Sequence, residues 1–166
     1  MDRRQFLINT SWLWLAGALP ALAKEGTGVA LLIKTKSEWK ALLPPDRYAV
    51  LFEEDTERSS SSPLNHEFRH GQYVCAACNQ LLFKSTQKFD SGTGWPSFFD
   101  VLPGAVATRE DFRLVWPRTE YHCSHCGGHQ GHVFKDGPAP TGLRYCNNGL
   151  ALQFIQEGGA LPALRS

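Results

Sequence analysis

No sign of charge predominates in this 166-residue chain. Its 17 basic and 16 acidic side chains leave a formal net charge of +1, so it carries no electrostatic footprint for a nucleic-acid duplex or an anionic membrane surface. Cysteine is scarce as well. Five in the whole chain are too few for a disulfide-stapled mini-protein, and an odd count leaves one thiol over from any scheme of pairs or of four. Methionine occurs once, at Met1. No internal repeat is visible apart from two Cys-x-x-Cys knuckles, and no unbroken apolar run reaches the ~20 residues of a spanning helix. What is there, 42% hydrophobic and 20% charged residues, is the composition of one ordinary globular domain.

Residues 1–23 read as an address. Arg3 and Arg4 form a basic start, an apolar stretch runs from Trp12 to Leu19, and Ala21-Leu22-Ala23 has the form of a small-x-small cleavage site. A membrane anchor is the alternative, but Asn9, Thr10, Ser11 and Pro20 interrupt the stretch. Arg3-Arg4-Gln5-Phe6-Leu7 resembles the twin-arginine motif, whose machinery carries folded proteins across the bacterial inner membrane. The expectation is therefore export to the bacterial periplasm, with no stable membrane insertion after cleavage. Cutting after Ala23 would leave 143 residues with 15 basic and 15 acidic side chains. Residues 24–34 then form a leader, 35–157 the domain and 158–166 a C-terminal tail.

Thr35-Lys36-Ser37-Glu38 has the form of a capping box, and Trp39, Leu42 and Leu43 follow at helical spacing. Pro44-Pro45 ends that helix and Asp46 begins another, with Tyr48, Leu51 and Phe52 as its core-facing stripe. Arg58 to Pro63 is a polar connector, long enough to be mobile. From Tyr73 onward the chain changes to short apolar runs separated by Gly, Pro and Asn turns: Tyr73-Val74, Leu81 to Phe83, Phe112 to Trp116, Leu143 to Cys146 and Leu150 to Phe154. That texture predicts a mainly β body behind short N-terminal helices.

Cys75-Ala76-Ala77-Cys78 and Cys123-Ser124-His125-Cys126 each place two thiolates on a tight turn, and two such turns together make a tetrahedral four-sulfur site. Structural zinc is the favoured occupant. A redox dithiol is the alternative within each knuckle, and iron is the nearest chemical competitor for tetrahedral sulfur. His122 and His125 could substitute as ligands, although a complete cysteine set makes them unnecessary. A closed four-coordinate site offers no open position, so the metal should hold the fold and do no chemistry.

The remaining thiol, Cys146, lies in Gly142-Leu143-Arg144-Tyr145-Cys146-Asn147-Asn148-Gly149. In an extended segment Arg144, Cys146 and Asn148 share a face, and a guanidinium beside a thiol favours the thiolate. The bland alternative has Cys146 as a small core residue and Asn148-Gly149 as a plain turn. Two further polar segments accompany it. His129-Gln130-Gly131-His132-Val133-Phe134-Lys135-Asp136 follows the second knuckle with two histidines and a carboxylate, suited to acid chemistry beside a nucleophile. Asp90 to Phe99 is a glycine-bearing loop that presents Trp95 as an aromatic wall.

These segments, with Arg118-Thr119-Glu120, stand in the order found in the methionine-R-sulfoxide reductases of B type, and residues from about Trp39 to Phe154 resemble that family. The resemblance implies two antiparallel sheets, one structural Zn(2+) on Cys75, Cys78, Cys123 and Cys126, and reduction of the R epimer of methionine sulfoxide in oxidised proteins or peptides. It makes Cys146 the nucleophile and Trp95 the wall for the substrate methyl. His132, with His129 nearby, would protonate the leaving oxygen, while Asn148, Arg144 and Asp136 orient or polarise the arrangement. The product would be a Cys146 sulfenic acid. Many members resolve that acid with a second cysteine where this chain has Thr93, so reduction by a thioredoxin-like or other external thiol is implied here. Two other classes remain open to sequence reading: a zinc-ribbon-like binding module and a four-sulfur iron electron carrier.

Overall fold

The computed structural model describes residues 34–113 and 116–165. The expected signal peptide, and all of the expected leader except Lys34, lie outside the described residues. Two short helices come first, α1 (Lys36–Leu42) and α2 (Pro45–Glu53). Thr35 caps α1 as expected: its hydroxyl accepts the Glu38 amide, and the Glu38 carboxylate accepts the Thr35 amide at 2.6 Å, a device worth ~1 kcal/mol. Pro45 occupies the first position of α2, where its missing N–H costs nothing. Trp39 stacks on Phe52 with ring centroids 5.5 Å apart, and Tyr48, Leu51 and Phe52 are buried. Leu42 departs from expectation, being 54% exposed. The side chains buried here are Trp39 within α1 and Leu43 at its C-cap, one turn apart.

Two antiparallel sheets follow. β1 (Gly71–Cys75), β2 (Leu81–Lys84) and β9 (Leu152–Gln156) form a three-stranded sheet in the order β2-β1-β9. The second has six strands, β3 (Lys88–Phe89), β4 (Ser97–Phe98), β5 (Val106–Asp111), β6 (Arg118–Cys123), β7 (His129–Phe134) and β8 (Arg144–Asn147), ordered β3-β4-β8-β7-β6-β5. Aromatic rings fill the space between them. Phe83 from the first sheet stacks on Phe98 from the second at 4.0 Å, Tyr73 meets Phe98 edge-on at 5.0 Å, and Tyr121 and Tyr145 close the cluster.

The described residues of the expected strand from Phe112 to Trp116, namely Phe112, Arg113 and Trp116, are not in a strand, and its other two lie outside the described residues. β5 stops at Asp111, whose carboxylate accepts the Arg113 amide at 2.9 Å, an Asx turn that diverts the backbone from the ladder. Phe112 and Trp116 are 69% and 79% exposed. The polar connector is also tied down. The Ser60 amide donates to the Gly94 carbonyl, and the Ser59 hydroxyl to the Thr93 carbonyl.

Candidate active site and metal centre

The two knuckles close in the same way. Cys75 ends β1 and Cys123 ends β6; in each, the amide four residues on donates back to the cysteine carbonyl at 2.9 Å, from Asn79 and Gly127. Both donors lie at positive φ, 66° for Asn79 and 72° for Gly127, the left-handed conformation that glycine and asparagine tolerate. The four thiols are buried and their sulfurs lie within 4.8 Å of one another. Sγ of Cys75 is 3.7 Å from Sγ of Cys126, and Sγ of Cys78 is 3.6 Å from Sγ of Cys123. A tetrahedron with metal–sulfur bonds of ~2.3 Å has edges of ~3.8 Å, so the cluster fits one four-coordinate ion. Neither His122 nor His125 belongs to it. The Gln130 amide donates toward Cys75 Sγ at 3.5 Å, adding an outer partner to the cluster. Because β1 and β6 belong to different sheets, an ion here clamps the two sheets together.

The fifth thiol stands apart, in β8. There Cys146 pairs with Ser97 of β4 on one side and with His132 of β7 on the other. β7 and β8 come close at Gly131, where a Cβ would lie 1.9 Å from the Cys146 carbonyl oxygen, so only glycine fits. Cys146 opens onto a cavity of about 140 Å³ walled by Trp95, His132, Phe134, Asn148, Arg118 and Thr56. Trp95 and Phe134 supply its apolar side, and His132 and Arg118 its polar side.

Each expected residue has a distinct place. The Arg144 guanidinium lies within electrostatic reach of the Cys146 thiol and grips Asp136 with two bonds, 2.9 and 2.8 Å. Neither Arg144 nor Asp136 lines the cavity. As expected, the Arg144 charge favours the thiolate, but burial pushes the Cys146 thiol up and outweighs it. His132 Nε2 is 2.8 Å from an Asp111 carboxylate oxygen. Burial pushes the His132 pKa down against the pull of Asp111. His129 is buried just outside the cavity, 5.5 Å from His132 between ring centroids, with Nδ1 2.7 Å from Glu120. Asn148 lines the cavity, but its side-chain amide is spent on backbone, donating to the Gln130 carbonyl and accepting the Glu57 amide.

Three carboxylates of this region were given no role by sequence. Asp111 is held well below the usual carboxylate range by the Arg113 amide and by His132 and Arg118. Glu120 is buried among His122, His129 and Arg109. Burial would raise its pKa, but those partners hold it at about 2. Glu57, just before the segment read as a connector, accepts two backbone amides from the turn after β8. The place of Glu120 in Arg118-Thr119-Glu120 was the available signal; nothing local marks Glu57.

A family model described as SelR domain matches residues 43–156. Among the relatives, the peptide methionine sulfoxide reductase MsrB of Methanosarcina barkeri is 51% identical over 125 residues, 75% of this chain and 88% of its own. That of Agrobacterium fabrum is 49% identical over 122 residues, 73% of this chain and 90% of its own. That of Pseudomonas savastanoi pv. phaseolicola is 49% identical over 125 residues, 75% and 95% of the two chains. The match spans both knuckles, the Trp95 loop, the histidine strand and Cys146, and the chain belongs to the SelR-domain family, that of the MsrB peptide methionine sulfoxide reductases.

Proposed function

We propose that the chain reduces the R epimer of methionine sulfoxide in oxidised proteins or peptides, with Cys146 as nucleophile. The observation that carries this reading is a single thiol, outside the four-sulfur cluster, opening onto a small cavity with an indole and a histidine on its walls. Trp95 receives the substrate methyl and Phe134 the neighbouring methylene, which turns the sulfoxide oxygen toward His132 and Arg118. The Cys146 thiolate attacks the sulfur while His132 delivers a proton to the oxygen, since an unprotonated sulfoxide oxygen is a poor leaving group. A bond forms between the Cys146 and substrate sulfurs as the S–O bond breaks and the oxygen, with a second proton from solvent, leaves as water. A water then attacks the Cys146 sulfur, the S–S bond breaks, methionine leaves, one proton returns to solvent and Cys146 is left as a sulfenic acid. The substrate sulfur is reduced by two electrons and the cysteine sulfur oxidised by two. Two equivalents of an external thiol, thioredoxin-like or other, then regenerate Cys146 and release water and a disulfide. Arg144, held by Asp136, orients and partly offsets the charge of the thiolate; Asn148 fixes the turn beside it.

Zn(2+) is the ion that best suits Cys75, Cys78, Cys123 and Cys126, and it supplies folding energy and no chemistry. Export through the twin-arginine machinery to the periplasm rests on Arg3-Arg4-Gln5-Phe6-Leu7 alone.

One experiment separates the two sulfur sites. Cys146→Ser should lose turnover by at least ~10³-fold while keeping one equivalent of zinc and its melting temperature. Cys75→Ser should release the metal and lose several kcal/mol of stability. Turnover surviving in Cys146→Ser would overturn the assignment of the nucleophile, and zinc retained in full by Cys75→Ser that of the metal ligands.

A further inference from the structure

Glu57 is 7% exposed, and no cation among the described residues is paired with it. A buried carboxylate is costly unless hydrogen bonds replace its water. Here they come from one place: the Gly149 amide donates to Oε1 at 2.6 Å and the Leu150 amide to Oε2 at 2.9 Å. These are the first two amides of the 3-10 turn Gly149–Ala151, whose own cap residue, Asn148, makes no side-chain cap. Asn148 is already spent on the Glu57 amide at 3.1 Å and the Gln130 carbonyl at 3.2 Å. Glu57 therefore caps, from 92 residues away in sequence, the turn that follows Cys146 in the chain. The turn has no slack on this side, since a Cβ at Gly149 would lie 1.9 Å from the Ser62 hydroxyl oxygen.

The backbone of the same residue holds the opposite wall. The Trp95 indole N–H donates to the Glu57 carbonyl at 3.2 Å. This is the only polar handle of the indole, and it sets the rotation of the ring over the cavity. Ser59 and Ser60, next along the chain, bind the Thr93 and Gly94 carbonyls and seat the loop that carries Trp95. One residue thus joins the indole to the Asn148–Leu150 turn, and both border the cavity into which Cys146 opens.

We infer that Glu57 is a positioning residue that fixes the gap between the Trp95 ring and the Cys146 segment, and thereby the size of group that fits between them. The assignment to substrate selection rests on reading this cavity as the methionine sulfoxide site. With Glu57 in place the gap takes a methyl on the substrate sulfur and excludes a larger alkyl group. Glu57 touches neither substrate nor thiol, so its loss should alter fit more than cysteine reactivity.

Two readouts on Glu57→Gln test this. In protein labelled with 5-fluorotryptophan, the 19F resonance of Trp95, identified by its disappearance in Trp95→Phe, should shift or broaden while that of buried Trp39 stays in place. In steady-state assays KM for a methionine sulfoxide peptide should rise at least fivefold with a smaller change in kcat. The preference over the ethyl analogue should narrow at least threefold, while the rate of Cys146 alkylation by iodoacetamide stays within twofold. If Glu57→Gln does not fold, Glu57→Asp, too short to reach both amides from the same backbone, carries the same two measurements. A stationary Trp95 resonance with KM and selectivity within twofold of the parent would overturn the inference. So would equal losses of kcat, alkylation rate and thermal stability, the mark of a purely structural residue. The fluorine readout needs no turnover, so a parent protein inert toward methionine sulfoxide would refute the reading of the cavity without touching the Glu57–Trp95 link.

Discussion

The proposed reaction asks two opposite things of neighbouring groups: a deprotonated thiol at Cys146 and a protonated ring at His132. The surroundings push both the other way, Cys146 up and His132 down, each chiefly by burial. The productive pair, thiolate with imidazolium, is therefore a minor form of the free protein at every pH. kcat/KM should trace a bell whose acid limb follows His132, below the ordinary histidine value, and whose basic limb follows Cys146, above the ordinary thiol value. Asp111 opposes the fall at His132 through its 2.8 Å contact. Asp111→Asn removes a charge that favours the imidazolium, so the acid limb should move to lower pH by about one unit. The peak should drop by ~tenfold, since the productive pair becomes scarcer by the same factor. A pH–rate profile of the two proteins checks this, and an acid limb that stays in place would remove His132 from the role of proton donor.

At the scale of elements, local signals were readable and distant ones were not. The α1 capping box and the spacing within each knuckle are relations between residues at most four apart, and the structure has both, while α2 begins at Pro45, one residue before the expected Asp46. The apolar texture located β1, β2, β8 and β9. It failed at Phe112 and Arg113, where hydrophobicity alone suggested a strand, whereas a single hydrogen bond from the Arg113 amide to Asp111 ends β5 first. It was silent at Glu57, whose partners in the turn after β8 lie 91 to 93 residues on. Sequence also showed Arg144 near Cys146 but not how deeply the thiol is buried, and burial decides the direction in which its pKa moves. Pairing β6 with β5 and β7 gathers Arg109, His122 and His129 around the buried Glu120, a long-range product that no single segment announces.

At the scale of the whole molecule, the four-cysteine cluster bolts the three-stranded sheet to the six-stranded one, away from the cavity that opens beside β8. The segment expected as a tail takes part: Asn79 donates to the Ala163 carbonyl, and Arg165 donates to the Ala77 and Cys78 carbonyls, strapping the first knuckle. A protein built around such a centre suits a pathway for folded cargo, because the metal can be loaded before transport. Replacing Arg3 and Arg4 together by lysine should leave folded, zinc-loaded protein in the cytoplasm. Undiminished delivery in cell fractionation would point to an unfolded-chain route instead.

The central claim is that Cys146 reduces one epimer of a sulfoxide whose methyl is held against Trp95. The most direct measurement supplies purified protein with separated R and S epimers of a methionine sulfoxide peptide, without reductant and then with dithiothreitol. Without reductant, the R epimer should yield about one methionine per chain and a Cys146 sulfenic acid trapped by dimedone, with no internal disulfide. With dithiothreitol, turnover of the R epimer should continue while the S epimer stays intact. Equal reduction of both epimers, or a disulfide joining Cys146 to a knuckle cysteine with loss of metal during turnover, would contradict the account.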